Sequence, residues 1–155
     1  MNTSGQVGIG STVSPQTSPV QVGTATNWNL FAGGGGGSHT CVTRTDGTLW
    51  CWGLNTSGQI GIGSVVSPQT SPVQVGVATT WVAVVAGAAH TCARQTSTIL
   101  SLWCWGLNTS GQLGIGTYTS PQLTPKEAVG YHQQAPGPIL RIYAGPAANT
   151  TFVMQ

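Results

Sequence analysis

An internal repeat organises this chain of 155 residues. The string Asn-Thr-Ser-Gly-Gln begins at Asn2, Asn55 and Asn108, and both intervals are 53 residues. Each copy continues with an aliphatic residue and Gly-Ile-Gly, and Ser-Pro-Gln follows a few residues later. A fixed period of this size indicates a repeat architecture, in which each unit buries its apolar face only against its neighbours. We therefore expect one repeat domain over residues 1–155, with repeats 2–54, 55–107 and 108–155, the last of them incomplete.

Each repeat contains enough strand-like sequence for one four-stranded sheet. In the second copy, residues 81–87 are apolar and β-branched, which favours an inner strand buried on both faces. Residues 90–94 and 102–106 are short alternating segments, and residues 72–75 complete the set as an outer strand. Proline in that last segment is compatible with a sheet edge. Four short strands per period are typical of a propeller blade.

A hairpin joins the two middle strands of each unit. In the first copy it turns at Thr45-Asp46-Gly47, and a three-residue loop of this kind places its glycine in the left-handed conformation. This register puts Cys41 opposite Cys51, and a five-residue loop puts Cys92 opposite Cys104.

Facing positions of an antiparallel pair lie close enough for a disulfide. We expect disulfides Cys41–Cys51 and Cys92–Cys104, each stabilising the fold by about 2–3 kcal/mol, with buried free thiols as the alternative. Disulfides imply an oxidising compartment, so the expected location is extracellular or at the cell surface.

The motifs of these hairpins resemble those of a known family. Gly-x-x-His-Thr-Cys-Ala, followed by Leu-Trp-Cys-Trp-Gly-x-Asn-x-x-Gly-Gln-Leu-Gly-x-Gly, is similar to the repeats of the regulator of chromosome condensation family. The resemblance runs from residue 2 to 107 and continues more loosely from 108 to 155. It implies an all-β fold of propeller blades. With about three four-stranded blades of 53 residues, we expect an open or partial β-propeller that is completed by other chains. The family includes nucleotide-exchange factors, protein inhibitors and photoreceptors, so it implies a fold and no single activity.

Charged residues make up only 4% of the chain, and the net charge is +2. No basic stripe exists for nucleic acid or an anionic membrane, and an exchange-factor role would require a more charged face. Near-neutral surfaces tend to associate, which favours self-assembly. No stretch of 18 apolar residues is present, so we expect no membrane insertion, and no signal peptide is visible.

The chain lacks the residues for catalysis. His39 and His90 recur in register, but no Asp or Glu recurs with them to build a triad or an acid–base pair. Each imidazole is expected to hold a glycine-rich turn through the backbone. A metal site from His39, Cys41 and Cys51 lacks a fourth ligand. The Gly-Gln-Leu-Gly-Ile-Gly string has no following Lys-Ser/Thr and predicts no phosphate loop. We therefore expect no enzyme activity, cofactor or metal.

Two further sets of residues allow alternative interpretations. Tryptophans at 50, 52, 103 and 105 are expected to pack between blades, with a carbohydrate-stacking surface as the alternative. Asparagines that begin Asn-x-Ser/Thr sequons are candidate glycosylation sites, although in the repeat motif they are expected to order a turn. These four are Asn2, Asn55, Asn108 and Asn149.

The repeats do not complete a ring, because propellers close with typically four to eight blades. The chain supplies one outer strand at 19–22, two full blades, and the first two strands of another at 139–144 and 150–155. An apolar edge strand there would pair with another chain. We expect it to mediate self-association through Thr151, Phe152, Val153 and Met154.

The expected function is a non-catalytic extracellular structural module that self-associates into a ring or filament of its own copies. The alternative is a protein- or glycan-binding propeller module, excised from a longer secreted or surface protein. In that case loop tips such as 33–37 and 96–101 would contact the partner.

Overall fold

The computed structural model describes residues 1–33, 38–96, 99–134, 141–144 and 151–154. Within these ranges the chain is all-β, with ten strands in three antiparallel sheets. No helix in the described part of the chain is long and apolar enough to cross a bilayer.

The first blade is a four-stranded sheet in which each strand pairs with the next along the chain. Its strands are β1 (Trp28–Gly33), β2 (His39–Arg44), β3 (Leu49–Gly53) and β4 (Gln69–Gln74). The outer strand therefore comes from the next copy of the repeat, so each blade straddles a repeat boundary. The expected strand at 19–22 is wrong, because that segment has no sheet partner among the described residues.

The second blade repeats this order. Its strands are β5 (Trp81–Ala86), β6 (His90–Thr96), β7 (Ile99–Gly106) and β8 (Gln122–Gln134). β8 is 13 residues long where β4 has six, because its later residues pair with the start of β7. A third sheet contains β9 (Arg141–Ala144) and β10 (Thr151–Met154). The fold is the partial propeller that the sequence predicts.

The hairpins have the predicted register. Gly47 has a φ of 77°, and Cys41 lies opposite Cys51, to which its sulfur is bonded. Cys92 and Cys104 are likewise opposite and bonded. In this second hairpin the pairing continues as far as residues 96 and 100, so the connection is shorter than the five residues expected.

The hydrophobic core lies between the sheets. One cluster combines side chains of both blades with Ile60 from the β3–β4 connection: Cys41, Leu49, Cys51, Val75, Trp81, Val84, Ala86, Ala93 and Trp105. A second cluster lies between the second blade and Ile142 of β9. The inner strand β5 contributes to both, because Val84 belongs to the first and Val85 packs against the second. A single blade therefore has no core of its own.

Replacing Cys41 and Cys51 together by Val should lower the free energy of unfolding by about 2–3 kcal/mol. The volume of the apolar cluster is kept, whereas the entropic constraint on the ten-residue loop is lost. Urea unfolding with and without reductant measures the change, and reductant should act on the variant only through Cys92–Cys104. Four reactive thiols in the unreduced, denatured parent would contradict this prediction.

Candidate functional site

The repeated motif forms a loop that connects the third strand of a blade to the fourth. We call these three segments the latch loops: residues 1–15, 54–68 and 107–121. The second and third connect β3 to β4 and β7 to β8, and the first is their equivalent at the amino-terminal end. Charged residues are absent from all three.

The side chain of a buried asparagine makes the hydrogen bonds that close each latch loop. The Asn55 side chain is fully buried, and its Nδ2 donates to the carbonyl oxygens of Ser64 at 2.9 Å and Val66 at 3.1 Å. Its Oδ1 accepts from the backbone N–H of Ile60 at 3.0 Å, and its own N–H donates to Ser67 Oγ at 2.9 Å. The loop is therefore closed around one amide side chain.

The same bonds recur in the other two latch loops. Asn2 and Asn108 are also fully buried. Their partners occupy the equivalent positions: Val7, Ser11, Val13 and Ser14 for Asn2, and Leu113, Thr117, Thr119 and Ser120 for Asn108. The frame of the loop is thus the same in all three copies.

The hydrogen bonds of the latch loops involve three of the four sequon asparagines. At Asn2, Asn55 and Asn108 the Nδ2 atom, to which a glycan would be attached, is buried and already donates two hydrogen bonds. The folded chain therefore presents no accessible amide at these three positions. Asn149 lies outside the described residues.

The latch loop also fastens one blade to the next. The carbonyl oxygen of Gln59 accepts from Trp105 Nε1 at 2.9 Å and from Thr91 Oγ1 at 2.8 Å, both on the second blade. His39 of the first blade lies with its Nε2 2.9 Å from the same Thr91 hydroxyl. Because that hydroxyl gives its hydrogen to Gln59, His39 must donate through Nε2–H. We call these four residues the inter-blade latch.

The amino-terminal latch loop fastens to the first blade in the same way. The Gln6 carbonyl oxygen accepts from Trp52 Nε1 at 2.8 Å and from Thr40 Oγ1 at 2.9 Å. A glycine makes room for each indole: a Cβ at Gly61 would lie 2.5 Å from Nε1 of Trp105. Gly61 also has a φ of 81°, so a larger residue would be strained there as well.

The two recurrent histidines are buried, and His39 belongs to the inter-blade latch. The sequence predicts a backbone partner for His39, and the structure instead gives it a side-chain partner on the neighbouring blade. Burial, with a smaller effect of nearby His90, lowers the pKa of His39 to about 4. Burial also lowers the pKa of His90. In the described part of the chain, no three His, Cys, Asp or Glu residues are grouped to hold a metal ion.

The tryptophans of the middle strands do not form an open stacking surface. Trp52 and Trp105 are buried under the latch loops. Trp50 is half-buried and carries the guanidinium of Arg44, whose Cζ lies 3.9 Å from the ring centroid. Trp103 is also half-buried and donates through Nε1 to a neighbouring serine hydroxyl. Inter-blade packing accounts for the fully buried pair.

The ends of the latch loops, in contrast, are exposed and apolar. Val13 and Val66 are 66% and 67% exposed, Tyr118 is 76% exposed, and Val65 is 48% exposed. They belong to the residue pairs that precede each Ser-Pro: Thr12-Val13, Val65-Val66 and Tyr118-Thr119. We call these six residues the tip strip. No sequence motif singles them out, although the pairs vary inside a constant frame.

The three tip pairs face the same side of the propeller. The second and third latch loops each follow the third strand of a blade, and blades of the same topology point that connection in the same direction. The first loop has the same relation to the blade beside it, because the Gly10 N–H donates to the Thr70 carbonyl as Gly63 donates to Leu123. Of the loop tips that the sequence suggested for binding, residues 34–37 and 97–98 lie outside the described residues.

The stacked four-stranded blades and the latch define a β-propeller repeat protein. The family model named Regulator of chromosome condensation (RCC1) repeat matches residues 46–94 and 101–146, more than half of the chain. The chain belongs to this family.

Curated relatives carry the same repeats within much longer proteins. The ultraviolet-B receptor UVR8 of Arabidopsis thaliana is 42% identical over 84 residues, which cover 53% of this chain and 18% of the receptor. Human protein RCC2 is 30% identical over 119 residues, covering 76% of this chain and 21% of RCC2. The chain thus spans about a fifth of the length of these relatives.

Solved structures share the fold. Prp20p of Saccharomyces cerevisiae superposes with a TM-score of 0.72 at 19% identity, covering 99% of this chain and 37% of that chain. Human WBSCR16 gives a TM-score of 0.62 at 21% identity, covering 81% of this chain and 31% of that one. At these identities the likeness shows the fold alone.

Replacing Asn55 by Ala should lower the free energy of unfolding by about 2–4 kcal/mol. The change leaves the Ser64 carbonyl and the Ile60 N–H without their partner, and it removes one of the two donors to the Val66 carbonyl. Urea unfolding measures this loss, and Thr56→Ala at the exposed next position is the matched control, expected within about 0.5 kcal/mol of the parent. Equal stability of the two variants would show that the buried amide does not hold the loop.

The stability of the chain should fall as the pH drops from about 6.5 towards 4. Unfolded His39 takes up a proton near pH 6.5, whereas the folded protein resists protonation until about pH 4. The unfolded state therefore binds more protons in this window, which costs the fold about 3 kcal/mol in total. Denaturant unfolding between pH 7 and 4.5 measures the slope.

The control for this titration is His39→Gln, which keeps an amide donor for Thr91 and removes the ionisable group. Its stability should depend much less on pH, with a residual slope from His90, whose pKa is also lowered. An unchanged slope in this variant would assign the acid sensitivity to other groups.

Proposed function

We propose that this chain is a non-catalytic protein-interaction module in which interlocked propeller blades present the tip strip to a partner. The observation that carries the proposal is the contrast within each latch loop. The inner side is one repeated set of hydrogen bonds around a buried asparagine, whereas the outer side is an exposed residue pair that differs from copy to copy. Binding residues are disproportionately found on loops positioned by a rigid scaffold.

The structural neighbours support protein partners in general. Prp20p has binding properties to Gsp1p and histones, and yeast RCC1 (Prp20) has been solved with Kap60 bound to it. These are partners of those proteins, and none is carried over to this chain. With two acidic residues in all, this chain is poorly suited to basic partners such as histones, and it has no basic cluster for nucleic acid.

We further propose that the module works in an oxidising compartment, outside the cell or at its surface. The support is the pair of disulfides, each of which bonds directly opposite strand positions. Disulfides persist in secreted and surface proteins and are rare in the cytosol.

Exchanging all six tip residues for serine should abolish protein binding and leave the fold intact. Each position lies on the outer side of its loop, so the free energy of unfolding should change by no more than about 0.5 kcal/mol per site. An array of purified proteins is probed with labelled parent and variant, and the variant should lose signal at least tenfold on every protein that the parent binds.

The matched control for this exchange is Val77→Ser, because Val77 is 92% exposed and lies in the connection from β4 to β5, outside the latch loops. It should retain the parent's binding. If the six-serine variant binds the same proteins as strongly as the parent, the tip strip is not the interaction surface.

Self-association is the second candidate function. Its supporting observation is that β10 pairs with β9 along one edge, and no described strand pairs with the other edge. An open edge presents unpaired backbone groups to another chain.

For this candidate we expect a concentration-dependent increase in mass in sedimentation, which Val153→Pro abolishes. Proline at this position removes a ladder donor and blocks strand pairing. Unfolding of the variant in urea is compared with the parent to show that the two complete blades remain. A parent that stays monomeric at high concentration contradicts self-association and leaves the tip-strip proposal in place.

A further inference from the structure

We propose that the tip strip binds a short, extended and uncharged segment of its partner, with an apolar side chain at every third or fourth residue. The inference rests on the proposed function and specifies the chemistry of the partner. Four of the nine large apolar residues exposed in the described part of the chain belong to this one strip: Val13, Val65, Val66 and Tyr118.

The absence of charge from the latch loops disfavours a charged partner. The latch loops contain no charged residue, so a charged segment would lose hydration there and gain no counter-ion. Apolar side chains, in contrast, gain from contact with the valines and the tyrosine. Burial of uncharged, apolar side chains of the partner against the tip strip is therefore the favourable binding mode.

The size of the strip favours a short segment over a folded partner or a second copy. Four exposed side chains amount to roughly a few hundred Å² of apolar area, the size of the largest patch on an ordinary monomer. A stable protein–protein interface buries about 800 Å² on each partner. A segment lying along the three loops can use the whole strip without needing more surface.

The spacing of the blades sets the pattern of the segment. Packed sheets lie about 10 Å apart. A polyproline II segment rises about 3.1 Å per residue and returns to the same face every third residue, so its side chains on that face repeat at about 9 Å. A β-strand segment presents alternate residues to one face, so its side chains at intervals of four residues repeat at about 13 Å. One apolar side chain of the segment then meets each tip pair.

Recognition is through side chains, because the carbonyl groups of two tip valines already accept two hydrogen bonds each. The Val66 carbonyl oxygen accepts from Asn55 at 3.1 Å and from Gln69 Nε2 at 2.9 Å. In the same way, the Val13 carbonyl oxygen accepts from Asn2 Nδ2 and from Gln16 Nε2. Strand addition along the strip would have to compete with these bonds, so the partner must bind by packing.

A phage library of random 12-residue peptides tests the inference directly. Peptides selected on the parent should be depleted of charge and show apolar residues at intervals of three or four. A synthetic peptide of the selected sequence should bind a four-site variant, with Val13, Val65, Val66 and Tyr118 all replaced by Thr, at least tenfold more weakly. The control Val77→Thr should remain within twofold of the parent.

Four outcomes would overturn the inference: no selectable peptide, charged peptides, peptides that bind the four-site variant equally well, or binding that depends on Val77. Light scattering adds a fifth, a parent dimer that the four-site variant dissociates, which would assign the strip to a second copy. Loss of array binding in the six-serine variant, together with failure to select apolar peptides, would leave the proposed function standing and remove only this inference. Urea unfolding of each variant excludes loss of the fold as the cause.

Discussion

The backbone carbonyl of Gln59 is the acceptor on which the joint between the two blades depends. It receives two hydrogen bonds from the second blade, and one donor, Thr91, is itself held by His39 of the first. Trp105, Thr91 and His39 are almost completely buried, so breaking the latch would leave polar groups unpaired away from water. Because the apolar clusters also lie between sheets, neither blade can satisfy its polar groups or bury its apolar face alone.

Within each latch loop, the residues that stabilise the fold lie only a few positions from the exposed residues that we propose contact a partner. Asn55 and Gln59 face inward and are fully buried, whereas Val65 and Val66 face solvent on the same loop. Substitutions at the outer pair touch none of the bonds that close the frame, because Val66 contributes only its main-chain carbonyl. The surface can therefore change from repeat to repeat, and from one protein to another, at little cost in folding free energy.

Sequence periodicity predicts the blades, the hairpin register and the facing cysteines, because each follows from local turn geometry and strand alternation. The latch could not be predicted in the same way, since its acceptor is a main-chain oxygen and carries no side-chain signature. A signal did exist in the constant separation of 46 residues from Gln6 to Trp52 and from Gln59 to Trp105. The Thr91 partner of His39 and the exposure of the tip pairs depend on how blades stack, which no single repeat specifies.

Covalent and non-covalent links act at different levels of this fold. Each disulfide joins adjacent strands of one sheet, across only 10 or 12 residues, so neither can hold one blade against another. Cohesion between blades depends on the apolar clusters and on a latch whose histidine must stay neutral. Acid should therefore weaken the contact between blades before it opens the disulfide-bonded hairpins. The tip strip runs across successive blades. Its geometry therefore depends on the non-covalent contacts between blades and not on the disulfides.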